Sequence, residues 1–584
     1  MQLDGLSLYA ASMECNALLC GGRVERIAQP SRQTVVFTIR ANGQNHRLLF
    51  SCEPEAPRAV VVPQAEKGPE KPFTFLMILR KHLVHARIVS IQAPRCDRVL
   101  SLSFDALDDL GARVRLTFIA ELMGKHSNLI LVNQEQVILD CAKRIPPSVS
   151  SLRTVLPGDR YQAPPVQQKA DLLSCTENEI RAIVQSFPAG RVSSSLVGSF
   201  YGVSPYAARL LCQRAAIEED AFYPLSGELQ NALCREILHM QSDLQSCAFA
   251  PVLLLDAEDR PAGFFPFVPK QGAYTPYPTM MAAMNAYYSA CAEQKAIERQ
   301  RTQLSSAVQT RLQKLYKRLS IQNDTLMKSE NYERLRTEGD LILAYAYLVT
   351  EHCNMLEVED YTQENKLVKL TYDPHLTPIA NAEKRYKRYQ KLRSACQAAN
   401  QQKKKIQPEI DYLEEVLLSI QQNDSLDSLL EIRHELQDQD ILPPNRESGQ
   451  KRKTPQSRPL RFLSSDGIEM LCGRNNAQND LVTLRLSRST DTWLHAQGMP
   501  GSHVLIRAAR VPEQTLRQAA HIAAFYSRGR RSENVPIDYT LIKHVRKPSG
   551  AKPGFVTYAF QKTLFITPDE ALVKSLFAKD EPGA

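Results

Sequence analysis

The chain has 584 residues and a formal net charge of +9, with 43% hydrophobic and 23% charged residues. That length exceeds a single hydrophobic core and predicts roughly three to five domains, while the ordinary composition excludes wholesale disorder. The net charge is too small for a chain of this size to identify a polyanion partner by itself.

The 13 cysteines run from Cys15 to Cys472 without a C-x-x-C pair. An odd, scattered set excludes a disulfide framework and a close-paired zinc site, and predicts reduced thiols in a cytosolic protein. MQLDGLSLYAASMECN at the N-terminus has neither a basic n-region nor an uninterrupted apolar core, unlike a signal peptide. No apolar run approaches the roughly 20 residues that span a bilayer. A soluble, cytoplasmic protein without a metal or other cofactor is the expectation.

Residues 1–168 mix helix and strand signals. TVVFTIR (34–40) and HRLLFSC (46–52) predict two strands joined at Asn42-Gly43, a strong hairpin signal. FTFLMILRKHLVHARIVSI (73–91) opens with helical spacing at Phe75, Leu76, Leu79 and Leu83, then turns strand-like at ARIVSI. ARVRLTFIA (112–120), SNLILVN (127–133) and QVILDCAKRI (136–145) predict further strands before a proline-rich loop at 156–165. An α+β domain is the economical reading.

Residues 169–284 predict short helices. Gly202 to Pro205 precede an apolar helix and read in two ways. One is a helix-hairpin-helix turn whose amides hold a phosphate; the other is an ordinary cap at Ser204 with Pro205 in the first helical position. From 285 to 440, Ile297, Leu304, Val308, Leu315 and Leu319 keep roughly heptad spacing. A second such helix is predicted from about Ala382 to Gln437, through Ile406, Ile410, Leu413, Leu417 and Ile420. With a small insert at about 338–380 these helices predict an antiparallel coiled-coil arm whose charges are its solvated faces. Residues 441–460 read as a basic flexible linker.

Residues 461–584 predict a separate β-rich domain with one helix at 514–530. Eleven Lys and Arg lie between Arg507 and Lys562, opposed within that stretch only by Glu513, Glu533 and Asp538. This local excess, accompanied by Tyr526, Tyr539 and Tyr558, is the footprint of a phosphate-backbone partner or of a merely basic surface. DTWLHAQGMPGSHV (491–504) holds the only tryptophan and two histidines. Hydrolase logic would make Ser502 the nucleophile, His503 or His495 the base and Asp491 the orienter. Adjacent strand residues face opposite ways, however, no G-x-S-x-G elbow is present, and a metal at His495 and His503 would lack further ligands. RNA contact or packing is the better reading, and no catalytic or metal-binding residue is expected. GRNNAQND (473–480) suits a tight turn, with amides available to phosphate or serving structure alone. Asp97-Arg98 is either a surface ion pair or a base-reading pair, and ELMGKHSN (121–128) reads as a loop with one basic side chain, Lys125.

These segments together resemble the NFACT family over nearly the whole chain. PFTFLMILRKHLVHARIVSIQAPRCDRVL, ELMGKHSNLILVN, ILDCAKRI and PGDRYQAPP resemble its first domain. GDLILAYAYL and YDPHLTPIANAEKRYKRYQKLR resemble its middle region, and GRNNAQNDLVTLRLSRSTDTWLHAQGMPGSHV and KPSGAKPG its RNA-binding domain. The resemblance implies a multidomain α+β fold. Its parts are an N-terminal domain like that of formamidopyrimidine-DNA glycosylases, a helix-hairpin-helix domain, a coiled-coil arm and a β-rich RNA-binding domain. It also implies a ribosome quality-control factor rather than an enzyme. Such a factor binds large ribosomal subunits obstructed by peptidyl-tRNA and recruits alanine tRNA for template-free C-terminal alanine tailing, the ribosome itself forming the bonds. A small RNA-binding quality-control partner protein (RqcP-like) is implied as well, and self-association through the arms stays open.

By the same resemblance Asp97 and Arg98 are a tRNA-handling pair, and Glu121, Leu122, Met123 and Lys125 lie in a loop near the anticodon arm. Arg474, Asn475, Asn479, Trp493, His495, Ser502, His503, Arg528, Arg530, Lys547 and Lys552 are implied to contact RNA or the ribosome. Two departures stand out. The chain begins Met1-Gln2-Leu3-Asp4 where glycosylases need an N-terminal proline amine and a glutamate, and His85 stands where the family usually shows glycine. The alternatives are a fibronectin-binding surface adhesin, which the lack of a signal peptide opposes, and a nucleic-acid-processing enzyme of glycosylase-like architecture.

Overall fold

The computed structural model describes residues 3–64, 68–108, 110–150, 153–165, 168–218, 220–349, 354–362, 366–443 and 457–578. They divide into two compact units, 1–293 and 294–584.

The first unit is built on a nine-stranded antiparallel sheet in the order β4-β3-β2-β1-β5-β6-β7-β8-β9. Its strands are β1 (Arg23–Ser31), β2 (Thr34–Ala41), β3 (Gln44–Ser51), β4 (Arg58–Val62), β5 (Arg87–Gln92), β6 (Val99–Leu107), β7 (Arg113–Glu121), β8 (Asn128–Val132) and β9 (Ile138–Cys141). β2 and β3 meet at Asn42 (φ 49°) and Gly43 (φ 76°), both left-handed as a two-residue type I′ hairpin requires. α1 (Gly5–Leu19), α2 (Thr74–Leu83), Phe264 and the segment 280–288 add to this core, α2 burying Phe75, Leu76, Leu79 and Leu83 at the predicted helical spacing.

A second core collects α3 (Glu177–Gln185), α4 (Val192–Ser199), α5 (Pro205–Arg214) and α6 (Gly227–Gln245) around Ile180, Leu196, Leu211 and Ile237. Ser204 caps α5: its hydroxyl accepts from the Ala207 N–H at 3.1 Å, with Pro205 in the first turn.

The α2–β5 connection turns at His85, whose φ is 72°. The left-handed region costs an L-residue about 1–2 kcal/mol, a penalty that glycine escapes. Glycine also loses more backbone entropy on folding, so His85→Gly should stabilise this unit by no more than about 1 kcal/mol. Thermal unfolding of the two chains checks it; a loss of stability contradicts the backbone argument.

α7 (Met280–Lys328) begins in the first unit and continues into the second. There it pairs with α9 (Pro378–Gln422), and between them come α8 (Tyr332–Ala344) and a hairpin of strands Met355–Asp360 and Lys366–Thr371. Ile297, Leu304, Val308 and Leu315 meet Ile406, Ile410, Leu413 and Ile420 in one buried seam. Arg301–Asp424 at 2.9 Å, Arg311–Glu409 at 2.6 Å and Lys403–Asn323 at 3.2 Å set the antiparallel register.

The second long helix is shorter than predicted. It ends at Gln422, and α10 (Leu426–Asp438) is a separate element. Asn423, Asp424 and Ser425 carry side chains that compete with helical backbone bonds; the Asn423 amide donates to Ser419 O at 3.0 Å and Arg474 O at 2.7 Å. Leu429, Ile432 and Leu436 then fold back onto the seam. Most of the expected linker, 444–456, lies outside the described residues.

The rest of the second unit is a six-stranded antiparallel sheet. Its order is Leu460–Leu463, Glu469–Cys472, Val504–Ile506, Thr492–Ala496, Val535–Leu541, Lys562–Ile566. Three helices accompany it where one was expected: α11 (Asn476–Leu484), α12 (Glu513–Phe525) and α13 (Glu570–Ser575). α12 is the predicted one, and it packs Ala519, Ile522 and Ala523 against Leu494, Val504 and Ile537.

Candidate nucleic-acid interface

In the first unit Asp97 and Arg98 line a cavity of about 890 Å³ with Asp4, Met123, Lys169, Tyr201, Ser204 and Arg209. The turn before β6 places them there. Arg95 (φ 56°) and Cys96 (φ 51°) are both left-handed, a conformation that persists only where its surroundings enforce it. The enforcement is visible: a Cβ on Gly5 would lie 1.6 Å from Cys96 O, and one on Gly202 would lie 2.6 Å from Cys96 Cβ. Asp97 Oδ1 accepts from the Arg98 N–H at 2.7 Å, and Arg98 O accepts from the Leu122 N–H at 2.8 Å.

Buried Asp4 ties the same corner together, accepting from the Ser7 N–H at 2.8 Å and the Ser204 hydroxyl at 2.7 Å. Burial raises its carboxyl pKa, and the hydrogen bonds and Arg98 only partly offset this. Burial also pulls the Lys169 ammonium below its ordinary value, opposed by Asp97 and reinforced by Arg98. Cations beside carboxylates on one concave surface suit a ligand that carries both phosphate acceptors and base donors.

Sequence reasoning named Asp97, Arg98 and Met123 but missed Asp4, Lys169 and Arg209. Asp4 was legible in principle, as a capping residue before an apolar run.

The predicted 121–125 loop divides. Glu121 and Leu122 are buried, whereas Met123 faces the cavity and Lys125 is exposed. Glu121 is not a surface acid: it accepts from Arg153 Nη1 at 3.0 Å and from the Tyr161 hydroxyl at 3.0 Å.

In the second unit GRNNAQND is the start of α11, not a surface turn. Asn475 caps the helix through Gln478 N at 2.9 Å and donates to Glu431 at 2.8 Å. Asn479 accepts from the His503 N–H at 3.0 Å. Both are buried, because they join α11 to α10 and to the sheet. Arg474 is partly exposed beside them.

Glu435 belongs to the same junction, accepting from the Tyr412 hydroxyl at 2.8 Å and from Asn476 Nδ2 at 3.1 Å. Burial pushes its carboxyl up to about 7 from an ordinary 4.5. The folded state therefore holds this proton where the unfolded state has lost it. Glu435 thus lowers stability progressively as pH rises from about 4.5 to about 7, with no further change above. Glu435→Gln should flatten that fall; unfolding midpoints at pH 5 and pH 8 compare the two chains, and an unchanged difference between the pH values contradicts it.

The Trp-His segment is packed. Trp493 is fully buried, 5.7 Å from the His495 ring and 4.9 Å from that of Tyr558. His503 is buried with Nδ1 2.7 Å from Thr483 Oγ1. Burial holds His503 well below its ordinary pKa and takes partly exposed His495 down to about 4. Both are therefore neutral at physiological pH and add no positive charge toward phosphate. Buried Ser502 bonds to the Cys472 thiol, and Asp491 accepts from the Arg488 N–H at 2.8 Å. The side chains of the hydrolase reading thus have separate partners.

The basic stretch is less unbalanced in space than along the chain. Arg507 pairs with Glu469 at 2.8 Å, Arg528 with Glu414 at 3.2 Å, Arg530 with Glu570 at 3.2 Å and Lys547 with Asp480. All four acids lie outside the 507–562 window. Lys552 donates to Gln439 at 3.0 Å and sits over the Tyr412 ring. Arg510, Arg531, Lys543, Arg546 and Lys562 are exposed, and among the described contacts none has a carboxylate partner. Among the described residues no group of three His, Cys, Asp or Glu could hold a metal, and no helix is long and apolar enough to cross a membrane. The described cysteines are free thiols.

Residues 4–455 match the family model of the NFACT N-terminal and middle domains, and 458–558 match that of the NFACT protein RNA binding domain. The Rqc2 homolog RqcH of Bacillus subtilis is 33% identical over 579 residues, 99% of this chain and 100% of that protein. The Rqc2 homolog RqcH of Streptococcus pneumoniae is 33% identical over 580 residues, with the same two coverages. The solved N-terminal part of the fibronectin/fibrinogen-binding protein from Streptococcus suis is 29% identical, covering 49% of this chain and 99% of that one, at a TM-score of 0.43. With the motifs found in the same order along the chain, the two family models and the RqcH relatives lead to one assignment: the chain belongs to the NFACT family.

Proposed function

We propose that this chain is a cytoplasmic ribosome quality-control factor. It binds large ribosomal subunits obstructed by peptidyl-tRNA and recruits alanine tRNA, so that the ribosome extends the stalled chain with an untemplated C-terminal alanine tail. The protein selects and positions tRNA, and the peptidyl-transferase centre makes the bonds. The observation that carries the reading is the cavity at Asp97 and Arg98, where Lys169 and Arg209 add positive charge in a chain related to RqcH over almost its full length.

In this reading Asp97, Arg98, Met123 and Lys125 meet the tRNA, while Glu121 and Leu122 hold their loop. Arg474, Arg528, Arg530, Lys547 and Lys552 contact RNA through the basic domain, and the buried Asn475, Asn479, Trp493, Ser502 and His503, with His495, support that surface. The functional divisions are 1–168, the glycosylase-like part; 169–284, the helix-hairpin-helix part; 285–440, the arm; and 461–584, the RNA-binding part. A small RNA-binding protein completes the complex.

Sedimentation of the tagged chain from lysate tests the reading. It should migrate with large subunits that carry peptidyl-tRNA and leave them when peptidyl-tRNA is released. A chain found only in ribosome-free fractions overturns it.

A further inference from the structure

One face of the nine-stranded sheet carries charge that packing does not explain. Arg23 is in register with Arg40 on one neighbouring strand and with Arg87 on the other. From Arg87 the row continues through Asp105 to Arg115. Residues directly opposite one another share a face. Four arginines and one aspartate therefore line up across β2, β1, β5, β6 and β7, a span of about 19 Å at the usual strand spacing. The register shift between Val24 and Arg26 returns Arg26 to this face opposite Thr38, and Thr38 lies opposite Arg47. Facing like charges cost stability. Among the described residues one ion pair relieves the set, Arg115 with Asp105 at 2.9 Å.

Arg26, Thr38 and Arg47 line a groove of about 760 Å³ together with Leu76 and Arg80 of α2 and the acid Glu70. Two of its guanidiniums are already oriented. Arg47 Nη1 donates to Pro63 O at 2.6 Å and Arg80 Nε to Ile27 O at 3.0 Å, each leaving further N–H donors for a ligand. Gln29 lines the same groove at 1% exposure. Its Nε2 donates to Arg32 O at 3.2 Å, but its Oε1 has no partner among the described residues. A buried acceptor left unpaired is costly unless something donates to it.

We propose that this face is an RNA-binding site separate from the Asp97–Arg98 cavity. The arginine groove holds consecutive phosphates of a folded RNA, and Gln29 Oε1 accepts from a ribose 2′-hydroxyl beside them. The length of the arginine row selects an extended polyanion over a small one. A buried acceptor among cations selects a strand that offers a hydroxyl donor next to its phosphates. The inference rests on the reading that the chain binds RNA.

Binding of a fluorescent folded tRNA transcript to the full chain across a KCl series tests it. The R26Q/R80Q double variant should bind roughly 30-fold more weakly near 0.15 M salt, and the slope of log K against log salt should drop by about two. R26K/R80K should restore the slope. Gln29→Leu should weaken the transcript while leaving a DNA hairpin of the same sequence unaffected. Unchanged affinity and slope in R26Q/R80Q, with the parent chain binding normally, overturns the groove alone. Polyglutamate of matched charge competing as well as the transcript also overturns it. A parent chain that binds no tRNA refutes the wider reading, and the parent curve shows this separately.

Discussion

A chain carrying Asp97→Ala and Arg98→Ala is expected to lose alanine tailing in cells while still sedimenting with obstructed large subunits. Both side chains are only partly exposed, and they reach the cavity because Gly5 and Gly202 pin the Cys96 turn beneath them. Neither supports a core; among the described residues the one hydrogen bond of the Asp97 side chain is from its neighbour's N–H. Losing them should therefore change stability by no more than about 0.5 kcal/mol, as at other sites outside a core. A charge-assisted Arg contact is worth about 1.5–3 kcal/mol, so tRNA engagement should fall roughly 10- to 150-fold. Tail length on a stalled reporter is the measurement. Tailing at the parent level in the doubly substituted chain would remove these residues from the mechanism.

The second large effect concerns Glu121, a neighbour of that turn. Its carboxylate is buried against Arg153 and Tyr161, and Arg153 is itself only 13% exposed. Removing one partner of a buried pair leaves the other charge unpaired and costs about 3–5 kcal/mol. Glu121→Ala should therefore lower the unfolding midpoint and the soluble yield sharply. Adding Arg153→Leu should recover part of the loss, because the stranded guanidinium goes with it. A direct tRNA contact at Glu121 predicts the reverse: full stability with weak tRNA binding. Unfolding curves for the two single variants and the double variant separate the accounts.

Local signals carried much of the fold. Asn42-Gly43 declared its hairpin, Phe75 to Leu83 declared a helix, and heptad spacing from Ile297 declared the arm. What stayed hidden depended on partners distant in the chain. Leu429, Ile432 and Leu436 prolong an apolar rhythm past Gln422, so the break at Asn423 is masked by a pattern that serves two helices. GRNNAQND looks like a turn because Asn and Gly dominate it, while Glu431, which fixes Asn475, lies 44 residues away. The charge excess after Arg507 was overstated because Glu414, Glu469, Asp480 and Glu570 fall outside any local window. Asp97 and Arg98 were found through family resemblance, whereas Lys169 and Arg209 join them only in the folded chain. The basic face centred on Arg23 was invisible for a related reason: its arginines are far apart in sequence and become neighbours only through strand register.

The account turns on which RNA the protein holds. Crosslinking RNA to the protein in cells, followed by sequencing of the recovered RNA, asks this directly. Alanine tRNA enriched over other tRNAs, together with large-subunit rRNA, is the predicted result; bulk RNA without tRNA enrichment would contradict it.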